Sequence, residues 1–413
     1  MPPPVIGEAD LARVLQPGGR TLVLGCAGES LPLARAVMHA GAALGAMTFT
    51  GIFIPGVNTH AYLANPQVRI ETFFMTPELK AAGSAVQFLP LCYADILDRL
   101  RTVPIDAALF MVAPPDAAGQ CSFGPTVDFL AELWPRIPVR VAHINPLVPR
   151  THGHRGIPHA RLSALIEGAQ PLIGTRDPGP DAAAEAIARH IAPWIAEGAT
   201  LQAGLGKVPG AVLRALTGHR NLRMHSGLIV DAVVDLEEAG ALAPGAAVTA
   251  GSAIGSERLY RAIERPTYRF QPVSVTHDAR QIGRIRNFVA INSALEVDLL
   301  GQAYAELGPG GLMSGPGGAL DFARGARLGG GLRIVALAAT AGKGATSRIV
   351  APGQGLGPVS LGRMDVDLVV TEQGAADLRG LGYHERARAL IGLAAAPHRE
   401  RLERAWQAYA ARL

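Results

Sequence analysis

Residues 222–240 read Leu-Arg-Met-His-Ser-Gly-Leu-Ile-Val-Asp-Ala-Val-Val-Asp-Leu-Glu-Glu-Ala-Gly. A histidine and a serine, His225 and Ser226, stand ahead of the carboxylates Asp231, Asp235, Glu237 and Glu238. The stretch opens as a polar turn and closes with helical spacing. A serine beside a histidine becomes a nucleophile only where the two side chains converge. Neighbours on an extended segment point opposite ways, so this pair does not make one on its own. His152, His154 and His159 lie between Thr151 and Arg161. They would need further partners to hold a metal, and the segment reads as a solvated loop. Cys26, Cys92 and Cys121 are odd in number and widely spaced, which fits neither a disulfide frame nor a zinc site. No metal is expected. Gly204-Leu-Gly206-Lys207 precedes an apolar helical run, where backbone amides favour an anion. It is not a full phosphate-binding loop, so nucleotide hydrolysis is excluded.

These residues need elements to position them. Thr21 to Arg35 reads as strand, glycine turn and helix, the unit of a parallel sheet. Further strands are expected at Thr48–Ile54, Leu109–Ala113 and Val139–Ile144. Residues 174 to 182, Gly-Thr-Arg-Asp-Pro-Gly-Pro-Asp-Ala, form the best linker. Asp181 is placed to cap a helix running to Ile195. The pattern then restarts, since Ala199 to Leu216 again gives strand, glycine turn and small-residue helix. Strands follow at Ala247–Ala250, Phe288–Ile291, Ile334–Leu337 and Leu368–Thr371, and one amphipathic helix from Tyr383 closes the chain. The expectation is an α/β fold of two related open α/β domains in tandem, 1–176 and 177–413.

Composition agrees. A chain of 413 residues exceeds one ordinary core. Its 49 glycines and 31 prolines lie between apolar runs rather than in a low-complexity block. The net charge of +4 is dispersed; it suits an anionic ligand but does not suggest nucleic acid. Ala36–Val68 carries no Asp, Glu, Lys or Arg, yet Gly41, Gly45, Gly51, Pro55 and Gly56 interrupt it. It reads as buried helix, loop and strand, not as a membrane span. The first residues lack the basic and apolar regions of a signal peptide, which leads to a cytoplasmic expectation.

An ordered series of motifs resembles the acetyl-CoA hydrolase/CoA-transferase family across nearly the whole chain. It comprises Ala113-Pro-Pro-Asp-Ala-Ala-Gly-Gln-Cys-Ser-Phe-Gly, Ile144-Asn-Pro-Leu-Val-Pro-Arg-Thr, Leu201-Gln-Ala-Gly-Leu-Gly-Lys-Val-Pro, Ile291-Asn-Ser-Ala-Leu-Glu-Val-Asp-Leu-Leu-Gly-Gln, Ser314-Gly-Pro-Gly-Gly-Ala-Leu-Asp-Phe, Ser347-Arg-Ile-Val and Ala376-Asp-Leu-Arg-Gly. The resemblance implies two α/β domains handling an acyl-CoA and a small carboxylic acid. Coenzyme A would be a cosubstrate rather than a resident cofactor. It implies that a glutamate attacks the thioester, that the amides of Gly317 and Gly318 receive the oxyanion, and that Lys343 and Arg348 meet CoA phosphates. Gly204 and Gly206 would approach the same anion. The family's dimers imply a homodimer.

Two positions depart from the pattern. The family reads roughly His-Thr-Glu where this chain has His225-Ser226-Gly227, so the nucleophile's place carries no side chain. Glu237, Glu238 and Glu257 are the nearby acids able to substitute. The family's active-site asparagine is replaced by His277, in Val275-Thr-His-Asp-Ala. Together the changes suggest that water, or part of a bulkier acyl group, fills the space at Gly227. His277 would act as general base near its ordinary pKa of about 6.5. Glu296, within a matching motif, would orient His277 or act as acid/base. The expected reaction is hydrolysis of an acyl-CoA, at the thioester or at a β-keto carbon–carbon bond. The alternatives are a true CoA-transferase with a substitute carboxylate, and an inactive CoA-binding regulatory protein.

Overall fold

The structure, a computed structural model, describes residues 2–175, 179–342 and 344–413. Two compact units divide the chain: Met1–Arg176 with Val248–Thr276, and Asp177–Ala247 with His277–Leu413.

In the first unit, β1 (Arg20–Val23), β2 (Thr48–Gly51), β3 (Arg69–Thr72), β4 (Val86–Phe88), β5 (Ala107–Val112), β6 (Val139–Ile144) and β8 (Ala164–Glu167) form a parallel sheet ordered β8-β6-β5-β1-β2-β3-β4, with β7 (His152–Gly153) outside it. Parallel sheets are covered on both faces and their strands read as unbroken apolar runs. Ala107-Ala-Leu-Phe-Met-Val112 is such a run, buried at every residue. Ser30 caps the Leu31–Ala40 helix through Leu33 N–H at 3.2 Å, Pro32 sits in its first turn, and Gly41 ends it at φ 50°. These are the start and stop signals visible in the sequence. Leu33, Val37, Phe49 and Ile70 fill the core beside this helix.

The second unit begins with β9 (Thr200–Ala203) and β10 (Arg223–Ile229). Next come β11 (Val248–Ala253) and β12 (Tyr268–Phe270), which belong to the first unit. The expected contiguous domain 177–413 therefore differs from the compact units at this segment. Within the first unit β11 pairs with β12 and β12 with β7, and Ala253 N–H donates to Pro125 O at 2.8 Å. The chain then returns to the second unit with β13 (Phe288–Ser293), β14 (Leu332–Ala336), β15 (Leu368–Thr371) and β16 (Gly374–Asp377). The order there is β16-β15-β14-β13-β9-β10, parallel except for the β16–β15 pair.

Three local expectations change. Arg223–Ile229 is a strand, not a polar turn, because it pairs with β9 at Thr200 and Leu201. The closing segment is two helices, Tyr383–Leu393 and Ala396–Ala410. Ala394 and Ala395 are extended and separate the two helices, and Pro397 sits in the first turn of the second. Asp181 caps a helix through Ala184 N–H at 3.0 Å, but that helix ends at Ile191 and continues only as a short turn, Ala192–Trp194.

Candidate active site

His225, Ser226 and Gly227 lie in β10 and alternate across it. Ser226 Oγ is 3.0 Å from Ala203 O and 2.9 Å from Leu228 O, so strand backbone takes up its proton. His225 is buried, its ring edge-on to Phe288 at 6.2 Å. The two side chains do not form a nucleophile–base pair.

His277 is 2% exposed and packs on Phe322 at 4.8 Å between ring centroids. Phe322 in turn stacks on Phe288 at 6.4 Å, so the two histidines end a cluster of four rings. The next residue, Asp278, caps the Ala279–Ile282 helix by accepting from Arg280 and Gln281 N–H, both at 2.8 Å, which fixes the backbone at His277.

The space at Gly227 is not open. A Cβ added there would stand 2.4 Å from His277 Nε2 and 2.5 Å from Cε1. A Cβ on Gly318 would meet His277 Cδ2 at 2.6 Å, Nε2 at 2.7 Å and Phe322 Cε2 at 3.0 Å. Both glycines are therefore required by the imidazole that lies between them. Neither water nor acyl chain can occupy the point where a side chain on residue 227 would begin, because the His277 ring is already there. Gly317, at φ 63°, takes the left-handed conformation that favours glycine. Gly318 stands at the N-terminus of the Ala319–Leu328 helix, where free amides and the helix dipole favour negative charge.

The expected basicity also changes. Burial, followed by the charge of His225, lowers the His277 pKa to about 3. The ring is thus neutral throughout the physiological range. Desolvation disfavours the charged form of a base, and a second histidine adds repulsion.

Other singled-out residues are dispersed. Glu296 accepts from Leu356 N–H at 2.8 Å, and its charge acts on Tyr304. The charge that acts on His277 comes from His225. Glu238 is exposed at the end of the Ala232–Glu238 helix, Glu237 is half-buried beside it, and Glu257 faces Arg261 from the first unit. Lys207 Nζ pairs with Asp181 at 3.1 Å, with Gly206 at φ 129° ahead of it and open space around Gly204. Arg348 is half-buried between short strands, and Lys343 lies outside the described residues. A cleft of about 740 Å³ in the first unit, lined by Leu147, Pro149, Tyr260 and Arg261, contains only Glu257 of these residues. Among the described residues no His, Cys, Asp and Glu cluster could hold a metal. The sequence reading missed Phe288. Its signal was present in the apolar pair that opens β13, Phe288-Val289.

Two open, mostly parallel α/β sheets, with a glycine-led helix start beside His277, fit a protein of the CoA-transferase class. The chain belongs to the acetyl-CoA hydrolase/CoA-transferase family. The family's acetyl-CoA hydrolase/transferase C-terminal domain matches residues 255–406. A 4-hydroxybutyrate coenzyme A transferase of Clostridium kluyveri is 37% identical over 311 residues, 73% of this chain and 72% of that protein. An acetyl-CoA hydrolase of Kluyveromyces lactis is 29% identical over 282 residues, 63% of this chain and 52% of that one. The structure of RipA from Yersinia pestis superposes with TM-score 0.90 at 26% identity, covering 98% of each chain. The protein is accordingly an enzyme of this family.

Proposed function

We propose that this enzyme hydrolyses an acyl-CoA by direct attack of water, without a glutamyl-CoA intermediate. The observation that carries the reading is the replacement at Gly227: no carboxylate can project from it, and a neutral imidazole occupies its place. Water adds to the thioester carbonyl, and the oxyanion is received at the start of the Ala319–Leu328 helix. His277 takes the water's proton. Burial lowers its basicity, but a developing negative charge alongside favours the imidazolium. The carbon–sulfur bond then breaks and the imidazolium returns that proton to the leaving sulfur, giving a carboxylic acid and CoA. Operation as a cytoplasmic homodimer belongs to the same proposal. No helix among the described residues is long and apolar enough to cross a membrane.

The test is trapping. The protein is incubated with butyryl-CoA in ¹⁸O-water, treated with borohydride or hydroxylamine, and analysed by mass. Release of CoA with one ¹⁸O in the acid and no modified glutamate is expected. A glutamyl adduct would turn the reading into CoA transfer by a substitute carboxylate. CoA binding without turnover would point to a regulatory protein.

A further inference from the structure

One buried polar group of the second unit is left over by the fold. Gln202, in β9, is 4% exposed, and its Oε1 is buried with no donor among the described residues. Buried polar groups are nearly always hydrogen-bonded, and each exception calls for a cause. A carbonyl shut away from water without a donor destabilises the fold. An apolar side chain of the same length would fill the position without that penalty.

Strand register shows what Gln202 faces. Thr200 and Leu201 of β9 pair with Arg223 and Met224 of β10. One residue further along the same register Gln202 stands beside His225, on strands about 4.8 Å apart. On its other side Gln202 pairs with Ala290 of β13, whose side chain offers no donor. Gly227, two residues beyond His225, shares that face. The His277 ring stands where a Cβ on Gly227 would point, and the charge of His225 acts on it. Gln202, His225 and His277 therefore lie on one face of one sheet, all within the second unit. Phe288 and Phe322 pack against the two histidines on that face.

Water carries two hydrogens. In direct attack the general base receives one, and the other still needs an acceptor, because a buried water is held by about two to four polar partners. A glutamine amide can orient an attacking water without taking its proton. We propose that Gln202 holds the attacking water: its Oε1 accepts one hydrogen while His277 removes the other, and the water oxygen bonds to the thioester carbon. The carbon–sulfur bond then breaks and the proton on His277 passes to sulfur. The hydrogen facing Gln202 stays on the new acid, so the sum is acyl-CoA plus water to carboxylic acid plus CoA. This role rests on the hydrolytic reading above.

Methanol separates this role from a structural one, because it carries a single acidic hydrogen and needs only His277. The whole protein and Gln202→Met, which keeps the length and removes the acceptor, are given butyryl-CoA in ¹⁸O-water with and without methanol. Butyrate and methyl butyrate are then measured. Gln202→Met should lower kcat for hydrolysis by about tenfold, as for one lost hydrogen bond. KM should stay within about twofold, since the bond is made to the attacking water and not to the bound thioester. The ratio of methyl butyrate to butyrate should rise by the same factor as kcat falls. The Tm of Gln202→Met should stay level or rise, because an unpaired buried carbonyl is gone. Equal hydrolysis by both proteins, or an unchanged product ratio, overturns the proposal. A clearly lower Tm would show Oε1 already paired within the fold and overturns it too. These outcomes sink the role of Gln202 alone, whereas an unaltered protein that releases no labelled butyrate removes the hydrolytic reading and this role with it.

Discussion

At the scale of single residues, Gly227 and His277 are in direct contact, the ring standing where a side chain on residue 227 would begin. Gly227→Ala should destabilise the fold by roughly 1–3 kcal/mol, since its methyl would overlap the imidazole. In Gly227→Ala/His277→Ala the clash is gone, so chemical denaturation of the four variants should give a coupling energy of at least about 1 kcal/mol. Additive single effects would show that the ring does not fill that space. His277 also makes a pH prediction. Its folded pKa of about 3 lies below the unfolded value of 6.5, so the unfolded chain binds more protons between these values. This contribution is fully present above pH 6.5 and is lost as pH falls toward 3, by up to about 1.4 kcal/mol per pH unit. His277→Gln should flatten that acid slope in urea melts at pH 4–7. Both positions could be singled out in the sequence by comparison with the motif series it resembles. Their contact could not, because fifty residues separate them and only the tertiary fold brings them together.

Elements were legible where one period ruled. Leu368–Thr371 opens with an apolar run, Val139–Ile144 keeps an apolar frame around Arg140 and His143, and both are strands at the expected bounds. Arg223–Ile229 was not, since His225-Ser226-Gly227 interrupts the apolar alternation and the strand is set by its partner β9. Between β14 and β15 the register is fixed by a group that no periodicity reveals. Asp367 accepts from Arg333 N–H at 3.0 Å and from its Nε at 2.8 Å, with both side chains largely buried. Removing one partner of such a pair leaves the other charge desolvated. Asp367→Ala should therefore cost about 3 kcal/mol in equilibrium unfolding, and a loss under about 0.5 kcal/mol would mean the pair is solvent-screened.

For the whole molecule, the two α/β sheets and the α/β class could be anticipated from the restart of the pattern near Ala199. The assignment of 248–276 could not, because β12 joins the first unit through β7, a strand of only two residues, His152–Gly153. A ligand that binds only the folded chain raises stability in proportion to the logarithm of its concentration. Butyryl-CoA at about 100 times its dissociation constant should add roughly 2.7 kcal/mol, measured as a concentration-dependent rise in Tm. No rise at millimolar ligand would contradict acyl-CoA as the substrate class.

Because the polypeptide leaves the first unit near residue 176, re-enters it at Val248 and departs again after Thr276, that unit cannot be finished during synthesis until some hundred further residues have emerged from the ribosome. A fragment stopping at 176 would expose the lone edge of β7 and the strip that Ala253 normally covers, inviting self-association. Birth of the protein is thus interleaved: the later half must be under way before the earlier half can close.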